Sequence, residues 1–150
     1  MANPFTVEAV HFADYATQDA SGKHILGGMY QGEINFLHNV ETWPAFFFYI
    51  AITPHSQAFK FSIKIVRPDE RPLLHMRGNY SAERGPTPTN RFVINGQIPP
   101  VRFTGFGNYR IEIGIQDRKP FYVRDLLVGF GMGEPFPINV SLEADIDAEA

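Results

Sequence analysis

The sequence predicts an antiparallel two-sheet β-sandwich, immunoglobulin-like or jelly-roll-like, with eight to nine strands. Three observations lead there. The stretches FKFSIKIV (59–66) and YRIEIGIQ (109–116) alternate apolar and polar residues, so each reads as a strand with one dry and one wet face. No segment sustains a helical period. The chain carries 13 Gly and 12 Pro, which break helices and cut it into short pieces at a spacing of roughly 10–15 residues. A closed β-barrel is the alternative. The continuously apolar run AFFFYIAIT (45–53), which suits a central strand covered on both faces, and the long loops favour the sandwich.

Taken in order, FTVEAVHFADYATQD (5–19) is a first strand running into a turn. DASGK (19–23) has the Asp, Ser and Gly of a hairpin loop. HILGGMYQGEINF (24–36) reads as one second strand, with Gly27 and Gly28 marking a bulge or a close backbone approach. NVETWP (39–44) is a loop before the apolar run. PHSQA (54–58) turns into the alternating strand 59–66, and RPDERP (67–72) is a polar turn. LLHMRGNYS (73–81) is a further strand with Leu74, Met76 and Tyr80 on one side. AERGPTPTN (82–90) is the clearest loop. RFVINGQI (91–98) resumes as a strand, and GFGNY (105–109) is a turn that starts the strand 109–116. DRKP (117–120) closes a hairpin with FYVRDLLVGF (121–130), GMGEP (131–135) is a linker, and FPINVSL (136–142) alternates again.

Composition narrows the function classes. With 150 residues, 44% hydrophobic and 19% charged, the chain suits one folded domain. It has no Cys, which excludes disulfides and Cys-containing zinc sites and leans towards a reducing compartment. The start MANPFTVEAV lacks the basic and apolar regions of a signal peptide, and no run approaches a membrane helix, so a cytoplasmic location is expected. NYS at Asn79 and NVS at Asn139 match the glycan acceptor pattern by chance on that reading. Charge is uneven. Residues 60–124 hold 12 of the 13 basic side chains and five acids, a net of +7, whereas 1–59 sum to −4 and 125–150 to −6.

No convincing chemical constellation is visible. His11, His24, His38, His55 and His75 show no metal-ligand spacing, and His55 beside Ser56 lacks a nucleophile elbow. Asp19 is a turn residue binding its own backbone near Gly22, and Asp14 reads the same way at the strand end. Gly105 and Gly107 lack the third glycine and the helix of a nucleotide fingerprint. Arg67, Arg71, Arg77, Arg84, Arg91 and Arg102, with Phe92 and Phe103 interleaved, resemble a single-strand-binding pattern. Those Phe are needed by a core, however, and the pI is about 5.9, so nucleic acid is not expected. Trp43 is either a lid on the core or a ligand platform.

Two patches, FADYATQDASGKHILGG (12–28) and GNYRIEIGIQDRKPFYV (107–123), together resemble a family of uncharacterised small bacterial β-sandwich proteins, a domain of unknown function. That family has an early Ala-Asp-Tyr-Ala strand, a Gly-Lys hairpin and a late Gly-x-Tyr strand. The resemblance covers about 7–128 and implies a cytoplasmic bacterial or phage-linked protein with no known activity. It carries over no functional residue, and it does not extend to 129–150. On the residues themselves, a buried Tyr15 hydroxyl tying the corner near Asp14 would explain that pair.

The expectation is therefore a sandwich domain over 1–128 and a C-terminal extension over 129–150. The expected role is a non-enzymatic binding or assembly module without a cofactor, contacting a protein partner or itself. A carbohydrate or small-ligand binder and a metal-dependent enzyme on a cupin-like sandwich are the alternatives. Trp43, Arg67, Arg71, Arg84, Phe136, Ile138, Val140 and Leu142 are the candidate interaction residues. The segment 136–142 is expected to pair with a sheet edge, its own or a neighbour's, with its acids towards the basic middle of the chain.

Overall fold

The computed structural model describes residues 2–30, 33–36, 42–43, 46–83, 91–102, 105–130 and 139–145. Strands β1 (Phe5–Gln18), β2 (His24–Tyr30), β5 (Phe46–Pro54) and β8 (Phe92–Ile98) form one sheet in the order β2-β1-β5-β8. Strands β3 (Glu33–Phe36), β6 (Ala58–Val66), β7 (Pro72–Ser81), β10 (Gly107–Ile115) and β11 (Tyr122–Phe130) form the other, in the order β3-β11-β10-β6-β7. Strands β4 (Thr42–Trp43) and β9 (Val101–Arg102) make a two-residue ladder. The described residues thus form two open sheets packed face to face, not a closed barrel.

The register follows the alternation. Ile65, Ile63 and Phe61 stand opposite Ile111, Ile113 and Ile115. Ile63, Ile65, Ile111 and Ile113 are all nearly inaccessible to solvent, and each such side chain contributes about 1.5–3 kcal/mol by leaving water. Across the interface Phe12, Phe48, Ile50 and Ile52 of the four-stranded sheet complete one continuous core. Aromatic rings seal one end: Phe5 stacks on Phe59 with centroids 4.7 Å apart, and Tyr80 stacks on Phe92 at 4.9 Å.

Two local expectations hold for the reasons given. Asp19 Oδ1 accepts from the Ser21 amide at 2.8 Å, the Ser21 hydroxyl at 2.7 Å and the Lys23 amide at 2.9 Å, while Gly22 takes φ +86°. These donors, the Ser21 hydroxyl foremost, hold the Asp19 carboxyl below its ordinary range. Gly107 opens β10 at φ +140°, the conformation that the Gly-x-Gly pattern supplies.

Three expectations are corrected, and the two readings of Gly27 are decided for the close approach. The segment 24–36 is not one strand: β2 stays beside β1, and β3 joins the other sheet, parallel to β11. Alternation does not reveal a change of sheet, because both sheets bury the same kind of face. The β1–β2 register also runs without a bulge; Gly27 serves a close approach, since a Cβ there would lie 3.3 Å from Tyr15 Cδ1. Asp14 does not cap a turn but accepts the Tyr30 hydroxyl, and burial together with that carboxylate raises the Tyr30 phenol above its usual value. Tyr15 is 51% exposed. The buried corner tyrosine is Tyr109, whose hydroxyl donates to the Gly105 carbonyl at 2.7 Å.

A cross-sheet contact was not legible in the sequence. Arg124 lies on the core side of β11, opposite Ile111, and its Nη1 donates to the Val10 carbonyl at 2.7 Å. Strand β2 pairs β1 from Phe12 onwards, so among the described residues the earlier part of β1 has a ladder on one side alone. The guanidinium fills part of that gap.

Candidate functional site

The outward faces of the two sheets are chemically unlike. On the four-stranded sheet, β5 presents Phe47, Tyr49, Ala51 and Thr53 outwards, because Phe46, Phe48, Ile50 and Ile52 take the core. Pairing sets Ala13 and Gln97 beside Phe47, and His11 and Asn95 beside Tyr49. The Tyr15 ring approaches Phe47 edge-on at 6.4 Å, and the His11 ring lies 5.9 Å from Tyr49. His24 comes from the far end of the β1–β2 hairpin, yet its ring stands 5.3 Å from Tyr49 and its Nδ1 is 3.2 Å from Asn95 Nδ2. The hairpin must therefore curl back towards this face. None of these paired positions carries Lys, Asp or Glu. The ion pair at one end, Arg91 to Glu8 at 3.9 Å, is also tied to Thr53, which accepts from Arg91 Nε at 3.3 Å.

The five-stranded sheet is the opposite. Its outer face carries Lys60 and Lys64 on β6, His75 and Arg77 on β7, Arg110 and Glu112 on β10 and Asp125 on β11. Arg110 grips Glu70 with two bonds, of 2.9 and 2.6 Å, and reaches Glu112 at 3.4 Å. That guanidinium holds the Glu70 carboxyl low and is itself raised by it. Burial, then the neighbouring Arg77 and Lys64, lowers the His75 pKa below its usual value, so the ring is neutral at pH 7. A recess of about 250 Å³ lies among Lys64, His75, Arg110 and Glu112. A larger one, of about 560 Å³, opens at the end of the sandwich over Phe59 and Ile115, with Lys60 and Arg118 at its wall.

Among the described residues, strand β7 is the edge of this charged sheet, pairing with β6 on one side. Among the described residues, no ion pair engages Lys60, Lys64 or Arg77. Nor, among the described residues, do any three His, Asp or Glu side chains stand close enough to hold a metal ion.

Of the sequence-predicted interaction residues, Arg67, Arg71, Val140 and Leu142 fall among the described side chains. Arg67 and Arg71 build the turn between β6 and β7: Arg67 Nη1 donates to the Pro72 carbonyl at 3.1 Å, and Arg71 pairs with Asp69 at 2.6 Å. The Trp43 side chain, Arg84, Phe136 and Ile138 lie outside the described residues. Val140 and Leu142 belong to a segment, 139–145, that forms no strand; they are 75% and 90% exposed. Pairing of this segment with the chain's own sheets is therefore not formed over 139–145. An extended backbone needs a partner to become a strand, and none stands there among the described residues. The aromatic face was missed. Its signal was present in the outward positions Phe47 and Tyr49 of AFFFYIAIT, but an unbroken apolar run does not say which of its residues face out.

Among the described residues, no helix is long and apolar enough to cross a membrane. No curated protein matches the chain. The crystal structure of the C-terminal domain of wzt superposes with a TM-score of 0.47 at 14% identity, covering 98% of this chain and 85% of that one. The model of a family of unknown function, DUF6941, matches residues 8–124, which is most of the chain. The chain belongs to that family, DUF6941.

Proposed function

We propose that this protein is a non-enzymatic binding or assembly module that works through protein contacts, with its C-terminal segment as the connecting element. One observation carries the reading. Val140 and Leu142 alternate with Ser141, Glu143 and Asp145, a strand pattern, yet both apolar side chains stand in water. Large apolar side chains left exposed in such a pattern gain most by adding to a sheet edge. Strand β7 of a second copy is a suitable edge: it is long, it pairs on one side only among the described residues, and it carries Arg77 near Lys64 of β6, which complement Glu143 and Asp145. The chain is then a self-associating subunit, as a bacterial or phage-linked assembly protein in a reducing cytoplasm would be.

The test compares the full chain with a 1–135 truncation that keeps every described strand. Light scattering should give a larger mass for the full chain, and Leu142→Asp or Arg77→Glu should shift it towards the monomer. High salt should act in the same direction, because screening shortens to about 3 Å in 1 M salt. Equal masses for the full and truncated chains across the concentration range would reject the proposal.

A further inference from the structure

We propose that the outer face of the four-stranded sheet is a binding platform for an uncharged oligosaccharide. This face is separate from the charged edge at β7 and does not depend on self-association.

The argument starts from exposed aromatic area that the fold does not use. Tyr15 is 51% exposed and Ile25 46%, and Phe47 and Tyr49 are half-buried although they sit at the middle of the sheet. Gly27 holds no side chain beside Tyr15, so the ring settles against it and leaves its far side to solvent. The pairing of His11 and His24 with Tyr49, and of Tyr15 with Phe47, fixes the rings in place. A rigid aromatic surface loses little conformational entropy on binding. Phe47 and Tyr49, two residues apart on one strand, are separated by about 7 Å of backbone. That spacing is on the scale of neighbouring sugar rings.

The polar groups at the rim suit hydroxyls. Asn95 and Gln97 are exposed on β8 beside Tyr49 and Phe47, and each amide offers donors and an acceptor together. A sugar presents the same mixture around an apolar face of C–H groups. The absence of Lys, Asp and Glu at the paired positions selects against charged ligands. Strands β1, β2, β5 and β8 carry no Lys or Arg that a phosphate backbone or an anionic membrane would use, and Arg91, just before β8, is held by Glu8 and Thr53. The other sheet, crowded with charges, has no comparable aromatic row among the described residues.

The experiment is an array of neutral, sialylated and sulfated oligosaccharides probed with the full chain, followed by calorimetric titration of the best neutral binder. Binding should be confined to neutral glycans. Tyr15→Ala and Asn95→Ala should each weaken it about tenfold or more, which corresponds to about 1.4 kcal/mol, while Tyr15→Phe keeps the ring and most of the affinity. Both side chains are exposed, so the variants should melt with the native protein. Gln97→Ala replaces Asn95→Ala if removing the Asn95 contact with His24 unfolds the hairpin. Three results would overturn the proposal: no neutral glycan bound, a preference for anionic glycans, or native affinity in both folded variants.

Discussion

Replacing Gly78 with alanine tests how tightly the edge of the core is packed. Gly78 stands opposite Phe61 in the β6–β7 ladder, on the core side between Met76 and Tyr80. A Cβ built there would fall 2.2 Å from Phe61 Cζ and within 2.8 Å of both Cε atoms. Ordinary carbon contacts begin near 3.4 Å, so the tip of the ring must move by about 1 Å. The ring has little room. Phe61 is only 8% exposed and is hemmed by Phe5, Phe59 and Phe92, whose centroids lie 6.5, 6.3 and 6.4 Å away. Overpacking of this kind costs about 1–3 kcal/mol, and the depth of the clash places Gly78→Ala in the upper half of that range. For a domain of this size the melting temperature should fall by about 4–12 °C, with an unchanged m-value in urea. Phe61→Leu should cost about 1–2 kcal/mol alone. The double variant should cost at least about 1 kcal/mol less than the sum, because the shorter side chain at 61 vacates the space that the added methyl group needs. Stability of Gly78→Ala within about 0.5 kcal/mol of the native protein, or strict additivity in the double variant, would refute the reasoning.

Three further outcomes are expected. Tyr109→Phe removes the bond to the Gly105 carbonyl while keeping the ring, and should cost about 1 kcal/mol in urea unfolding; no change would mean that this hydroxyl does not secure the turn into β10. Arg124→Met keeps an apolar stem but leaves the Val10 carbonyl without its charged donor, so about 1–3 kcal/mol should be lost, with faster amide exchange in the first half of β1. His75 has a folded pKa below its unfolded value near 6.5, so the unfolded chain binds the extra proton first. Its neutral form thus favours folding fully above pH 6.5, and stability should decline as pH falls through 6.5 towards the lowered value. His75→Gln should flatten that slope, and identical profiles would show that the surroundings of His75 do not act on it.

The sequence by itself determined most of the strands and, where apolar and polar residues alternate, their inward faces. In 59–66 and 109–116 every second residue is a large apolar one, and a slip of one place would expose the whole set, so register follows from composition. It also determined the hairpin at Asp19, because an Asx side chain and a glycine satisfy that turn with no help from distant residues. What depends on partners far along the chain was decided only by the tertiary structure. The division of 24–36 between two sheets rests on which strand β3 meets, and that strand, β11, lies some 90 residues later. The placement of Arg124 against Val10 and of Phe61 over Gly78 depends on pairs that no local pattern names. The contrast between an uncharged aromatic face and a charged one arises in the same way. Lys60, Lys64, Arg77 and Arg110 become neighbours through sheet order, and so do Tyr15, Phe47 and Asn95. A side chain's face is a local property of alternation, whereas the company it keeps on that face is set by topology.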